Sequence, residues 1–218
     1  MSRHHRIEMG LNLEKELAFY RKYHCMCLND PLHCVQLLTA GDQVNVSIHV
    51  ACVPLILMTT FMMATRAKVP VSILEMALPH VPSEYYKYIS LGTASAVGYG
   101  VFYALLDVAF GLPLLPVLVY ATLKMSDIAD DNPAAIRWAL GIFVVAWVLQ
   151  FIGHGVFEKR APALLDNLVQ ALVLAPFFVV FEVAYAFGIR TSVIDKVDAI
   201  IKPEIEAFRA AKATGKNQ

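Results

Sequence analysis

Five apolar runs dominate this sequence, and each is about as long as a helix that crosses a lipid bilayer. Because the hydrocarbon core is about 30 Å thick, a crossing helix needs roughly 20 mostly apolar residues. Apolar residues make up 58% of the chain and charged residues 17%, which is too apolar for an ordinary soluble domain. We therefore predict an all-α fold, a polytopic membrane helical bundle with four or five membrane-crossing helices. The predicted spans cover residues 46–64, 88–106, 108–123, 136–157 and 164–187.

The segments outside these runs complete the expected organisation. We predict one integral membrane domain over 1–218, made of an interfacial N-terminal segment over 1–45, the helical bundle over 46–188 and a polar amphipathic tail over 189–218. Both terminal segments are expected to form interfacial helices, because neither has an apolar run long enough to cross. The formal net charge is zero, so the lipid bilayer is the expected partner and a nucleic acid is not.

Polar side chains interrupt the apolar sequence between residues 150 and 182. His154 and Glu158 are four residues apart and share a helix face, and a basic turn separates them from a second polar group, Asp166, Asn167 and Gln170. Ionisable groups at membrane depth are costly, so they usually mark a functional site. The alternative is that these residues are helix caps and salt bridges at the membrane surface.

Topology decides whether distant histidines can meet. Basic residues before the first run favour a cytosolic N-terminus. His49 then lies at the cytosolic mouth of the first span, and His154 lies about one helical turn inside the same face, because the fourth span returns toward it. His24 lies on the surface segment that leads into this face. The sequence therefore predicts that three histidines converge at one membrane level.

Three histidines with a nearby carboxylate form a typical site for a divalent metal ion. Two histidines and one carboxylate are the ligands of many iron(II) oxygenases, and His154 with Glu158, plus His24 or His49, would supply them. Glu158 could instead orient an imidazole without binding the metal. Two other classes remain open: a non-catalytic membrane scaffold or lipid-binding protein, and a small transporter with a His/Glu relay. No internal repeat supports a transporter.

Three segments resemble a known enzyme family. FYRKYH (19–24), NVSIHVACVP (45–54) and WVLQFIGHGVFEKRAPALLDNLVQALVLAPFFVVFE (147–182) are similar to the endoplasmic-reticulum family of iron(II)-dependent 2-hydroxy fatty acid dioxygenases. The resemblance implies fatty acid alpha-oxidation, in which a 2-hydroxy fatty acid and molecular oxygen give the acid one carbon shorter, with loss of the carboxyl carbon. It also implies a role in long-chain-base breakdown. The charge bias described above places the active face on the cytosolic side of the endoplasmic reticulum membrane.

The resemblance also implies residue roles. The family's histidines match His24, His49 and His154, which would bind Fe(II). An insertion over 25–44 separates the first histidine from the second motif, and it leaves His33 as a possible fourth ligand, because Asn29 and His33 repeat the spacing of Asn45 and His49. Glu158, Asp166 and Asn167 are the expected catalytic residues, which would orient the ligands or the substrate hydroxyl.

Overall fold

The computed structural model describes residues 13–18, 40–158 and 170–213. The described residues form helices and short connections, with an isolated β-bridge between Lys68 and Ser90 and no β-strand, so the predicted all-α fold is confirmed. Residues 13–18 are helical. The α-helices from residue 40 onward are α1 (Ala40–Ala64), α2 (Val71–Ala77), α3 (Leu91–Leu106), α4 (Val108–Asp131), α5 (Ala134–Ile152), α6 (Ala175–Ala186) and α7 (Thr191–Ala213). A 3₁₀ helix precedes α3 (Ser83–Tyr88), and π-helical turns follow α5 (Gly153–Glu158) and precede α6 (Gln170–Leu174).

The described residues allow three or four membrane crossings, against the predicted four or five. Among the described residues, three helices are long and apolar enough to cross: Val44–Ala64, Val108–Asp131 and Ala134–Val156. A fourth crossing results if Leu172–Ala186 and Thr191–Pro203, which are bent by 119°, form one broken span. The second predicted span forms only the 16-residue helix α3, about 24 Å long at 1.5 Å per residue. It is short because Ser90 caps the helix by accepting a hydrogen bond from the Thr93 backbone N–H.

The chain divides into two compact units, one formed by 1–53 with 149–218 and the other by 54–148. The single domain expected over 1–218, like the interfacial placement of its two ends, stays a prediction. The tail does form the helix α7, with Pro203 inside it.

In the unit over 54–148, α3 and α4 form a tight hairpin. Asp107 is the only residue between them, and its carboxylate accepts a hydrogen bond of 3.0 Å from the Phe110 backbone N–H. This is the tight connection that Asp107 and Gly111 predict in the sequence. A Cβ at Gly111 would collide with the Tyr103 backbone carbonyl, so the two helices approach each other more closely than any larger residue allows.

Replacing Gly111 with alanine should therefore destabilise the hairpin. We expect a loss of about 1–3 kcal/mol, because the new methyl group meets backbone atoms that cannot rotate away. Gly98→Ala in α3 is the matched control, since a Cβ there meets nothing within 4 Å. Thermal unfolding of the purified variants in detergent measures both effects. Equal midpoints for the two variants would contradict the packing.

Acidic side chains near the end of α4 tie the segment between α1 and α3 to this unit. Asp130 pairs with Arg66 at 3.0 Å and with Lys68 at 2.8 Å. Asp127 accepts hydrogen bonds from Lys87 at 2.8 Å and from the Tyr88 hydroxyl at 2.9 Å. The bond to Asp127 raises the pKa of Lys87. Because these pairs are partly exposed, they position the segment more than they stabilise it.

Candidate functional site

The first half of α1 carries a buried asparagine and a buried histidine one turn apart. Asn45 is completely buried and His49 is 6% exposed. The Nδ1 atom of His49 lies 2.9 Å from the backbone oxygen of Asn45. A carbonyl oxygen can only accept, so Nδ1 carries the proton and a neutral ring keeps its lone pair on Nε2. A hydrogen bond that fixes the tautomer in this way is typical of histidines that bind metals.

His154 lies directly after α5, in the π-helical turn Gly153–Glu158, and its ring meets the ring of His49. The ring centroids are 4.8 Å apart and the planes are inclined by 79°. Both residues belong to the unit formed by 1–53 and 149–218. Single π-helical turns within longer helices occur frequently at functional sites, and this one turns His154 toward α1. Residues more than 100 positions apart in sequence thus form one imidazole pair.

Gly153 explains how the two helices come close enough for this contact. A Cβ at this position would collide with the side-chain oxygen of Asn45 and would lie 3.5 Å from Ile48 Cδ1. The absence of a side chain before His154 therefore lets the π-helical turn lie against Asn45. Gly153 directly precedes His154, and Asn45 precedes His49 by one helical turn, so their contact lies close to both histidines in sequence.

The spacing of the two rings fits a shared metal ion. If two imidazoles bind one ion through nitrogens about 2.1 Å from it, each ring centroid lies about 3.2 Å from the ion. When the two nitrogen–metal bonds enclose an angle of about 90–100°, the two centroids are then about 4.5–4.9 Å apart. The observed 4.8 Å falls in this range. Among the residues that the structure describes, no group of three or more histidine, cysteine or acidic side chains could hold a metal ion. The two imidazoles alone would be an incomplete site, and a metal ion would need at least one further ligand.

The remaining predicted site residues lie outside the described part of the chain. They are His24, His33, Asp166 and Asn167, and the side chain of Glu158, whose backbone ends the π-helical turn. The structure brings His49 and His154 together, as the topology predicts. The role of these two as metal ligands, and the roles of all the others, stay predictions.

Gln150 has no predicted role, yet its side chain is only 6% exposed. It precedes His154 by four residues, as Asn45 precedes His49, so each histidine follows a buried amide side chain by one helical turn. This repeated amide–histidine spacing is the sequence signal that could have pointed to Gln150. It is weak because the residues around it are apolar on all sides of the helix.

An apolar wall begins one helical turn from His49 along α1, within the same unit. Val53 of α1 packs with Ala175 and Val179 of α6, and Val50, the residue after His49, packs against them. In α6, Phe177, Phe178 and Phe181 are almost completely buried. Val53 follows His49 by one helical turn, so this packed hydrocarbon begins close to His49 along α1.

Comparison with known proteins gives one family. The family model described as "2-hydroxy-palmitic acid dioxygenase Mpo1-like" matches residues 37–187. A curated Saccharomyces cerevisiae protein, 2-hydroxy-palmitic acid dioxygenase MPO1, is 36% identical over 178 residues, which cover 82% of this chain and 83% of the yeast protein. No solved structure matches the chain significantly.

Proposed function

Because this chain belongs to the Mpo1-like family, we propose that it is an iron(II)-dependent dioxygenase of 2-hydroxy fatty acids. It converts a 2-hydroxy fatty acid and molecular oxygen to the fatty acid one carbon shorter. The observation that supports this reaction best is the His49–His154 pair, with ring centroids 4.8 Å apart, inside the matched region. We place the enzyme in the endoplasmic reticulum membrane, with the histidines near the cytosolic face.

The reaction balances without an added reductant if the carboxyl carbon leaves as carbon dioxide. The sum is RCH(OH)COOH plus O₂ giving RCOOH, CO₂ and H₂O. The hydroxyl-bearing carbon and the carboxyl carbon together lose four electrons, and one oxygen molecule accepts four. Release of the same carbon as formate would require a two-electron reductant.

His49 and His154 would hold the iron, with further ligands from His24, His33 or Glu158. When bound, iron(II) supplies the redox chemistry that ground-state oxygen needs, and imidazole with carboxylate is its usual ligand set in oxygenases. The Asn45 carbonyl keeps the His49 proton on Nδ1, so Nε2 is available as the donor atom. Asp166 and Asn167 orient the ligands or the substrate hydroxyl.

The acyl chain of the substrate would lie in hydrocarbon, between the helices or in the bilayer beside them. Burial of each methylene group contributes about 0.8 kcal/mol, so a long chain supplies most of the binding energy. The apolar wall of Val50, Val53, Ala175 and Val179 begins one helical turn from His49 along α1. This arrangement places a polar head group at the histidines while the chain stays out of water.

Turnover by the purified full chain tests this function. Protein in detergent, loaded with Fe(II) without oxygen and then given 2-hydroxypalmitate and air, should yield the C15 acid, with about one O₂ consumed and one CO₂ released per product, as four-electron balance requires. A chain that binds the acid and consumes no oxygen would be the lipid-binding protein left open by the sequence, and it would overturn the proposal.

A further inference from the structure

Gln150 has a buried donor that nothing in the described part of the protein satisfies. Its side chain is 6% exposed, and its Nε2 atom has no hydrogen-bond partner among the described residues. Native proteins rarely bury such a group unpaired, and the exceptions often belong to functional sites. An apolar side chain of similar length would fill the same place in this helix without an unmet donor.

The position of Gln150 directs it toward the imidazole pair. Residues three and four apart are neighbours on a helix surface, so Gln150 shares a face with Gly153 and His154. Gly153 on this face contacts the Asn45 side chain, and His154 meets the His49 ring. The unpaired amide therefore lies on the side of the helix that faces α1, within about one helical turn of both contacts.

We propose that Gln150 binds the carboxylate of the fatty acid substrate through its side-chain N–H groups. A carboxylate is a pure acceptor and an amide nitrogen carries two donors, so the pair is complementary. A hydrogen bond to a charged acceptor is stronger than one between neutral groups. Gln150 is thus a specificity-determining residue that holds the head group beside the histidines. The identity of the ligand as the fatty acid substrate rests on the proposed function, whereas the carboxylate-binding role of Gln150 does not.

Gln150→Met separates this role from a structural one. Methionine keeps the length of the side chain and removes the donor. The apo variant should unfold at a temperature about 2–4 °C higher than the wild type, since it no longer buries an unpaired amide. Its dissociation constants for palmitate and for 2-hydroxypalmitate, measured without oxygen in detergent, should both rise about 10-fold, because one charge-assisted hydrogen bond is lost.

Leu149→Met is the matched control, because Leu149 is the preceding residue and is 39% exposed. It should leave both the dissociation constants and the unfolding temperature unchanged. Unchanged affinity in Gln150→Met, or a lower unfolding temperature, overturns the assignment. The assignment is also overturned if Gln150→Met weakens the binding of 2-hydroxypalmitate and not of palmitate, because Gln150 would then bind the hydroxyl group.

The same measurements distinguish this assignment from the proposed reaction. If the wild type binds both acids but does not turn over 2-hydroxypalmitate, the reaction fails while the carboxylate site stands. If it turns over the acid and Gln150→Met binds as tightly as the wild type, the site fails while the reaction stands. Absence of binding by the wild type overturns both.

Discussion

Alanine in place of His154 should abolish the oxidation of 2-hydroxypalmitate while the protein still folds. Loss of a residue that only supports a metal ligand typically costs 10–100-fold, so loss of a ligand should cost at least about 100-fold in kcat/KM. His154 is half-buried in a π-helical turn, and its ring is one of the two rings of the imidazole pair. Alanine fits this turn without a clash, so the loss of activity should exceed any loss of stability.

His49→Ala should have the same effect, and the double variant should be no less active than either single variant. Two ligands of one ion act as a unit, so removing the second costs little once the first is gone. His80→Ala is the control, because His80 lies in the exposed connection between α2 and the 3₁₀ helix. Initial rates of C15 acid formation, at equal amounts of folded protein, measure all four variants. Activity above half of the wild-type value in either single variant would remove that histidine from the site.

Gly153→Ala should lower both stability and activity, although it adds only a methyl group and removes no polar group. The new Cβ would collide with Asn45 Oδ1, and the Asn45 carbonyl is the group that orients His49. Overpacking of this kind costs about 1–3 kcal/mol. A shift in the supported imidazole should cost about 10–100-fold in kcat/KM.

Gly155→Ala is a close control, since it changes the same π-helical turn at a position where a Cβ meets nothing within 4 Å. It should stay within about 0.5 kcal/mol of the wild type. In addition, Asn45→Ala in the Gly153→Ala background should recover part of the lost stability, because it removes the side chain that the new methyl group strikes. If Gly153→Ala and Gly155→Ala behave alike, the close approach of the π-helical turn to α1 does not exist.

The amino-acid sequence predicts the helices well because apolar length is visible in it. The runs over 46–64 and 108–123 lie in long apolar helices, and the run over 136–157 coincides with another to within one residue. The connection at Asp107 is as tight as expected. The run over 88–106 gives a shorter helix, because its start depends on the Ser90 cap. The run over 164–187 is followed by a turn at Gly188, whose φ is +72°. Hydropathy averages over windows and registers neither the cap nor the turn.

The topology of the spans predicts which histidines of the candidate site meet, but not the contacts around them. An antiparallel return of the fourth span is enough to bring His154 to the level of His49. The contact of Gly153 with Asn45 and the burial of Gln150 depend on how each helix is rotated about its axis. A helix that is apolar on all sides gives no periodic signal for that rotation. The π-helical turn around His154 could not be predicted from the sequence either, because the residues that form it show no characteristic pattern.

The iron content of the full chain tests most directly whether the imidazole pair is a metal site. Wild-type protein, purified without oxygen, loaded with Fe(II) and freed of excess metal, should retain about one iron ion per chain. The His49→Ala/His154→Ala double variant should retain less than about a tenth of that amount, and His80→Ala should match the wild type. Equal iron in the wild type and the double variant would contradict the account, as would a wild type that turns over 2-hydroxypalmitate with no iron bound.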